Sequence, residues 1–454
     1  MSNSQSDLIK APLEKPVKRL ADPFLGFVRA QSASGWVLLA ATFLAIAAAN
    51  STARDIYLGF IHLDFGVLLG HFSLSMTLQH WVNDGMMALF FFLLGLELKR
   101  EFLVGQVSRL KQASALLFAA AGGMLLPAAL FLIIADSATT MHGWAIPVAT
   151  DTAFALAILT LLGKQIPTSA RAFLVGFAII DDLGAILVIA VVYTSDFNTA
   201  FLLPTLLTLA ILAALNLIGV RHGLPYLMAG VILWFLFLKM GLHGTLTGVV
   251  VALAAPVRPQ IQRKTFLETL KDKLWHFEDA HNEETRNVFE QPEQLELAQD
   301  ISMVAEKATV PLKRWEKRLE SPISFVVMPT FAFMNAGLLL STEAVKLTWS
   351  SDLGLAIAFA LLIGKPSGIL AGIWLGNRLG WVERPVGLTW RHILGLGMLA
   401  SIGFTMSLFI ANLSFADSED LLEIAKLSVI MTSVLGGVLG FAWLRWACPE
   451  SNQA

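Results

Sequence analysis

The chain has 454 residues, of which 56% are hydrophobic and 15% charged, and its mean hydropathy is +0.67. A soluble domain carries about a quarter charged residues, so this composition excludes an ordinary soluble protein and points to an all-α polytopic membrane protein, with no nucleic-acid partner expected. The net charge of −2 decides nothing by itself, and the single cysteine, Cys448, excludes an intramolecular disulfide and a cysteine metal cluster.

About thirty residues precede the first apolar run, with Lys10, Lys15, Lys18, Arg19 and Arg29 among them. "AIAAAN" (45–50) looks like a signal-peptide cleavage site, but a signal peptide is normally shorter than this leader. The run is therefore read as a first span and residues 1–33 as an N-terminal tail. About twelve spanning segments follow from hydropathy, a bilayer core being about 30 Å thick. They lie near 34–50, 80–98, 113–135, 144–162, 171–193, 199–219, 224–239, 243–256, 322–341, 353–375, 391–412 and 425–445. Spans one to eight thus occupy 34–256, a charged insertion 257–320, spans nine to twelve 321–446, and a C-terminal tail 447–454.

Charge supports this count. Of the 32 Lys and Arg, all but five fall in the tails and the even-numbered loops. The five are Arg54, Lys239, Lys346 and Lys426 in odd-numbered loops, and Lys365 inside a span. Positive charge is retained on the cytoplasmic side, so both termini are expected there. Residues 57–76, "YLGFIHLDFGVLLGHFSLSM", alternate around a glycine-containing turn, with Ile61, Leu63 and Phe65, then Phe72, Leu74 and Met76. That pattern predicts a small outer β-hairpin, either a covering loop or a dimer contact. In the insertion, Leu267, Leu270, Leu274 and Phe277, then Leu297, Ile301, Val304 and Ala308, recur at helical spacing and predict two amphipathic helices. A partner for them is not legible.

Charges at membrane depth narrow the function. A carboxylate at a helix centre costs roughly 2.5–3.5 kcal/mol on the lenient insertion scale. Asp181 and Asp182 stand together in "FAIIDDLGAI" (177–186), near the middle of the fifth span. Lys365, in "LLIGKPSGIL" (361–370), is the natural counterion for one aspartate, and Asp151, in "PVATDTAFALAIL" (147–159), is a third carboxylate at depth. A purely structural network would not need the extra negative charge. Pro147, Thr150 and Thr152 disturb the span around Asp151, and Gly395, Gly397 and "SIGFTMS" (401–407) disturb the eleventh. Interrupted spans free helix ends and carbonyls that can meet ions. Spans three to five begin inside and spans ten to twelve outside, each triplet with its interrupted helix in the middle, which is an inverted repeat.

These stretches resemble the NhaA-type sodium/proton antiporters of bacteria. The likeness also runs through "NDGMMALFFFLLGLELKRE" (83–101), "LHGTLTGVVVALAAP" (242–256), "PTFAFMNAG" (329–337) and "IGFTMSLFIANLSF" (402–415). The family is among the cases from which the inverted-repeat rule was drawn, so that layout is not independent support. The resemblance implies a transporter, not an enzyme, that exchanges Na⁺, and also Li⁺, for H⁺ in the bacterial inner membrane and holds no cofactor. It implies that Asp181 and Asp182 form the ion and proton site with Thr150, and that Lys365 pairs with Asp181. Asp151 would balance helix-end dipoles where two broken helices cross, the second of them around Gly403 and Thr405. Asp84 and Glu97 would serve the cytoplasmic approach and pH response, with His243 and Glu316 linked to pH. The hairpin would support a homodimer. One departure is local: "KRLESPI" (317–323) follows Glu316 where the family usually has a histidine-bearing stretch, and the insertion is longer than the family norm.

Proton and Na⁺ would compete for the same oxygens, since a hard cation suits carboxylate, hydroxyl and water ligands. Rival readings are weaker. A sodium-coupled symporter of organic anions needs a recognition set for its substrate, and none is legible. An intramembrane aspartyl protease carries its aspartates on separate helices in other settings, and HExxH is absent.

Overall fold

The computed structural model describes residues 23–69, 72–104, 110–193, 197–279, 292–385 and 387–447. The N-terminal tail to residue 22, the hairpin turn at 70–71 and the C-terminal tail with Cys448 lie outside the described residues. The described chain is almost wholly helical: α1 (Pro23–Ala49), α2 (Arg54–Ile61), β1 (Asp64–Leu69), β2 (Phe72–Thr77), α3 (Leu78–Leu103), α4 (Leu110–Ile134), α5 (Ala138–Val148), α6 (Thr152–Leu161), α7 (Thr168–Val192), α8 (Leu202–Ile218), α9 (Gly223–Met240) and α10 (Leu246–Ala254). There follow α11 (Arg263–Asp279), α12 (Pro292–Ala308), α13 (Pro311–Pro322), α14 (Met328–Asn335), α15 (Thr342–Ser350), α16 (Asp352–Arg378), α17 (Trp390–Ala400), α18 (Phe404–Ser414) and α19 (Glu419–Ala447). Seven described helices are long and apolar enough to cross a bilayer alone, and three bent pairs raise the number to ten. The chain is a multi-pass membrane protein.

Two sequence expectations change in detail. The hairpin is shorter than 57–76: β1 and β2 pair antiparallel from Asp64↔Thr77 to Leu69↔Phe72, whereas 54–61 form α2. The eighth expected span, α10, has nine helical residues. At about 1.5 Å per residue it covers about 13 Å and cannot cross alone. Its last carbonyls are met from elsewhere: Lys99 Nζ donates to Leu253 O and Ala255 O at 2.5 and 2.6 Å, and Asn216 Nδ2 to Ala254 O at 2.5 Å.

The chain falls into two compact units, one of residues 1–87, 104–194 and 321–454, the other of 88–103 and 195–320. In the second, Leu96, Ala252, Ala255 and Leu312 form a buried cluster covered by Phe92, Val310, Trp315 and Leu319. α8 and α9 there end on Gly219 and Gly241, both with positive φ, which lets the chain turn away without a Cβ penalty. The insertion helices α11 and α12 are joined by an ion pair between Lys273 and Asp300.

The first unit holds two helical triplets, α4–α5/α6–α7 and α16–α17/α18–α19, each with a broken helix in the middle. The breaks bend the chain by 46° between α5 and α6 and by 47° between α17 and α18. α16 lies against α4 so closely that a Cβ at Gly368 would fall on the Gly122 carbonyl, and one at Gly372 on the Phe118 carbonyl. Such close backbone approach is how helices associate where no hydrophobic driving force separates them from lipid. A π-helical turn, Ala360–Gly364, immediately precedes Lys365. π-Turns are frequent at functional sites.

Candidate functional site

The site is built where α5/α6 and α17/α18 break. At each break, backbone groups lose their helical partners and must find others. The sequence supplies them reciprocally. Asp151 N donates to Ile402 O at 2.6 Å and Thr150 Oγ1 to Ala400 O at 2.9 Å, so the first break satisfies carbonyls of the second. Asp151 is the N-cap of α6, its Oδ1 accepting from Phe154 N at 3.1 Å. Its Oδ2 accepts from Thr405 N at 3.2 Å and from Thr405 Oγ1 at 2.5 Å. One carboxylate therefore sits on two helix starts, where the positive ends of both dipoles favour its charge. A Cβ at Gly403 would run into the Ser407 side chain.

Beside the crossing, α7 carries Asp181 and Asp182, which are 0% and 6% exposed. Lys365, at 0% exposure, donates to Asp181 Oδ2 at 2.7 Å. It also donates to Val148 O, the last carbonyl of α5, and stands 5.8 Å from the Phe177 ring centre. The ammonium is thus shared between a carboxylate, a helix C-terminus and an aromatic face, each of which favours a cation. The Thr150 hydroxyl also neighbours Asp181. Asp151, Thr150, Asp181, Asp182, Lys365, Gly403 and Thr405 thus lie in one unit, and hydrogen bonds link Thr150 and Asp151 to the second break and Lys365 to both α7 and α5.

Two functional partners were not legible in the sequence. Ser407 Oγ donates to Ile146 O at 2.7 Å, and Ser433 Oγ on α19 accepts from Phe404 N at 3.2 Å, capping α18. Serine is common in spans, and only the breaks at 149–151 and 401–403 could have drawn attention to them.

The residues that the resemblance links to pH are placed as follows in the fold. Glu97, near the end of α3, lies within electrostatic range of Glu316 on α13, and Arg100 Nε is 3.5 Å from Glu316 Oε1. Burial pushes the Glu316 carboxyl up; the Arg100 guanidinium opposes this and the Glu320 carboxylate adds to it. His243 occupies the turn before α10, whose far end meets Lys99. Asp84 lies in the π-helical start of α3, next to the hairpin, 3.0 Å from His80 Nε2. Asp84 thus lies at the hairpin end of α3.

The profile of the family described as Na⁺/H⁺ antiporter 1 matches residues 26–444. The chain is 39% identical over 440 residues to a protein named Na(+)/H(+) antiporter NhaA 1 from Saccharophagus degradans, covering 97% of this chain and 95% of the relative. It is 37% identical to the Na(+)/H(+) antiporter NhaA of Sulfurimonas denitrificans, over 97% and 99% of the two chains. A Pseudoalteromonas atlantica protein named Na(+)/H(+) antiporter NhaA 1 is 40% identical over 95% of this chain and 91% of its own.

Proposed function

The chain belongs to the Na⁺/H⁺ antiporter 1 family, and we propose that it exchanges cytoplasmic Na⁺, and also Li⁺, for external H⁺ at Asp181 and Asp182. One observation carries the reading. Two adjacent buried carboxylates share a site with Lys365, which donates to Asp181 and lies within electrostatic range of Asp182. Asp151 is held by helix starts, so two carboxylates stand against one ammonium. Net buried charge is costly, and a proton or a cation at the pair balances it.

Na⁺, as substrate, takes oxygen ligands, and Asp181, Asp182 and the Thr150 hydroxyl offer them. Proton and Na⁺ require the same oxygens and exclude each other. Exposure of that site alternately to the two sides then yields exchange. With Lys365 fixed as a cation, the pair carries two protons or one Na⁺. A cycle moves one net charge, and a potential negative inside drives Na⁺ out. Should Lys365 release the second proton on Na⁺ binding, the charge count is the same with a different carrier.

The protein operates in the bacterial inner membrane with both termini cytoplasmic, as the Lys and Arg bias supports. Glu97 and Glu316, with Arg100 between charges, form the pH-responsive group at the cytoplasmic end, and His243 acts separately. The hairpin pairs two copies. The test is purified protein in proteoliposomes, with internal pH followed after addition of Na⁺, Li⁺, K⁺ or nothing. Proton movement on Na⁺ or Li⁺ without any organic solute is expected; a requirement for an organic anion would overturn the proposal in favour of symport.

A further inference from the structure

Away from the carboxylates, four amide side chains from three helices meet. Asn335 is the last residue of α14 and is 2% exposed. Its Nδ2 donates to Asn83 Oδ1 at 2.7 Å and to Phe331 O at 2.9 Å. Its Oδ1 accepts from Asn412 Nδ2 at 3.0 Å, Asn83 Nδ2 at 3.2 Å and Gln79 Nε2 at 3.3 Å. Gln79 and Asn83 belong to the hairpin end of α3, and Asn83 lies in its π-helical turn, Trp81–Met86. The end of α14 is held from the same region, because Gln79 donates to Met334 O at 2.9 Å and the Tyr57 hydroxyl to Phe333 O at 2.6 Å.

Asn412 is the donor that comes from a broken helix, the outer half α18. That helix is tied to the helices that carry the ion site. Thr405 is bonded to Asp151, Ser414 Oγ donates to Tyr193 Oη at 2.8 Å, and Tyr193 Oη donates to His142 O at 2.9 Å. Asn412 therefore marks where the site-bearing group meets α3 and α14.

An amide oxygen has two lone pairs, yet three donors share Asn335 Oδ1. If Asn412 withdraws, Asn335 keeps two donors, and Asn412 keeps its bond to Leu408 O at 2.8 Å. Asn335 is not stranded, and the one N–H of Asn412 that loses its acceptor belongs to a half-buried side chain. At the Asp151 crossing, by contrast, each lost bond strands a buried donor, which is the expensive outcome. The Asn335–Asn412 bond is thus one that can break and re-form at low cost.

We propose that Asn335 and Asn412 form a reversible latch that holds the end of α18 against α3 and α14 while the ion site is closed to the outside, and parts when the site opens outward. This rests on the alternating exposure proposed above.

The test uses Asn335→Cys with Asn412→Cys in a Cys448→Ser background, joined by a short reducible bis-methanethiosulfonate. In proteoliposomes, Na⁺-driven exchange is expected to fall at least about tenfold on cross-linking and to return on reduction. Equal rates in the two forms would show a static contact and overturn the latch. If the reduced double variant is itself inactive, Asn412→Ala decides. Losing one hydrogen bond from the closed state is expected to tighten the apparent Na⁺ affinity from the outer face by up to about fivefold, with a smaller, opposite change from the inner face. Equal changes at both faces, or none, would overturn the latch. Absence of exchange in the unmodified chain would instead defeat the assignment of Asp181 and Asp182.

Discussion

Replacing Asp151 by asparagine preserves its shape but leaves one accepting oxygen where the crossing uses two. Suppose the remaining Oδ1 stays on Phe154 N. The Thr405 hydroxyl can then turn to accept from the new amide, but Thr405 N loses its acceptor. One buried, stranded donor costs about 1–3 kcal/mol, and loss of the charge between two helix starts removes up to about 2 kcal/mol more. Asp151→Ala is worse. It strands the α6 cap donor, worth about 0.5–2 kcal/mol, and both Thr405 donors, whose bonds to an ionised acceptor are worth about 1.5–3 kcal/mol each. The expected order of stability is Asp, then Asn, then Ala, with the alanine step about twice the asparagine step. Thr405→Val removes one of the three bonds and should fall near Asp151→Asn. Unfolding by SDS in mixed micelles, with the unfolding free energy compared across the four proteins, reads this directly. An alanine variant no less stable than the asparagine variant would refute the idea that this carboxylate holds the crossing together.

Further expectations concern charge, pH and packing. A valinomycin-clamped potential should accelerate or reverse Na⁺/H⁺ exchange in proteoliposomes, and indifference to potential would rule out unequal charge movement; electrogenic exchange retained in Lys365→Gln assigns the protons to the aspartate pair, whereas electroneutral exchange assigns one to Lys365. Because burial raises the Glu316 carboxyl, its contribution to stability is present below the ordinary carboxylate range and is lost as pH rises through the raised value. Glu316→Gln, a mimic of the protonated form, should therefore flatten the decline of thermal stability with rising pH and shift the activity profile by a fraction of a pH unit with maximal rate largely kept; an unchanged profile would remove Glu316 from the pH response, and His243→Ala, measured alongside, tests whether that residue acts separately. Gly368→Ala places a methyl on the Gly122 carbonyl, an overpacking that costs about 1–3 kcal/mol, and should lower thermal stability well beyond Gly59→Ala, whose added methyl meets open space; equal effects would mean that α4 and α16 are not packed as closely as described.

Much of the site was legible because its charges are out of place locally. Asp181 and Asp182 interrupt an apolar run, Lys365 interrupts another, and Pro147 with Thr150 and Thr152 announces a disturbed helix. Each signal sits within a few residues of its cause. What escaped was non-local. Nothing near Ser407 or Ser433 says that they meet Ile146 and Phe404, and the amides of the 79/83 pair, 335 and 412 come from three distant parts of the chain. The shortness of α10 escaped because hydropathy extends through Ala255 and Pro256 whether or not the backbone stays helical. The neighbour of Asp84 was equally silent: only the folded helix start shows that it meets His80 by the hairpin.

The most direct measurement of the central claim is Na⁺-driven proton release and Na⁺ binding by the purified Asp182→Asn protein, beside the unmodified chain and Asp181→Asn, in proteoliposomes at matched incorporation. Both substitutions keep side-chain shape and remove one of the two buried carboxylates. If proton and Na⁺ compete for these oxygens, each variant loses exchange and Asp182→Asn loses detectable Na⁺ binding, while a near-normal exchange rate in either variant would contradict the paired-carboxylate site.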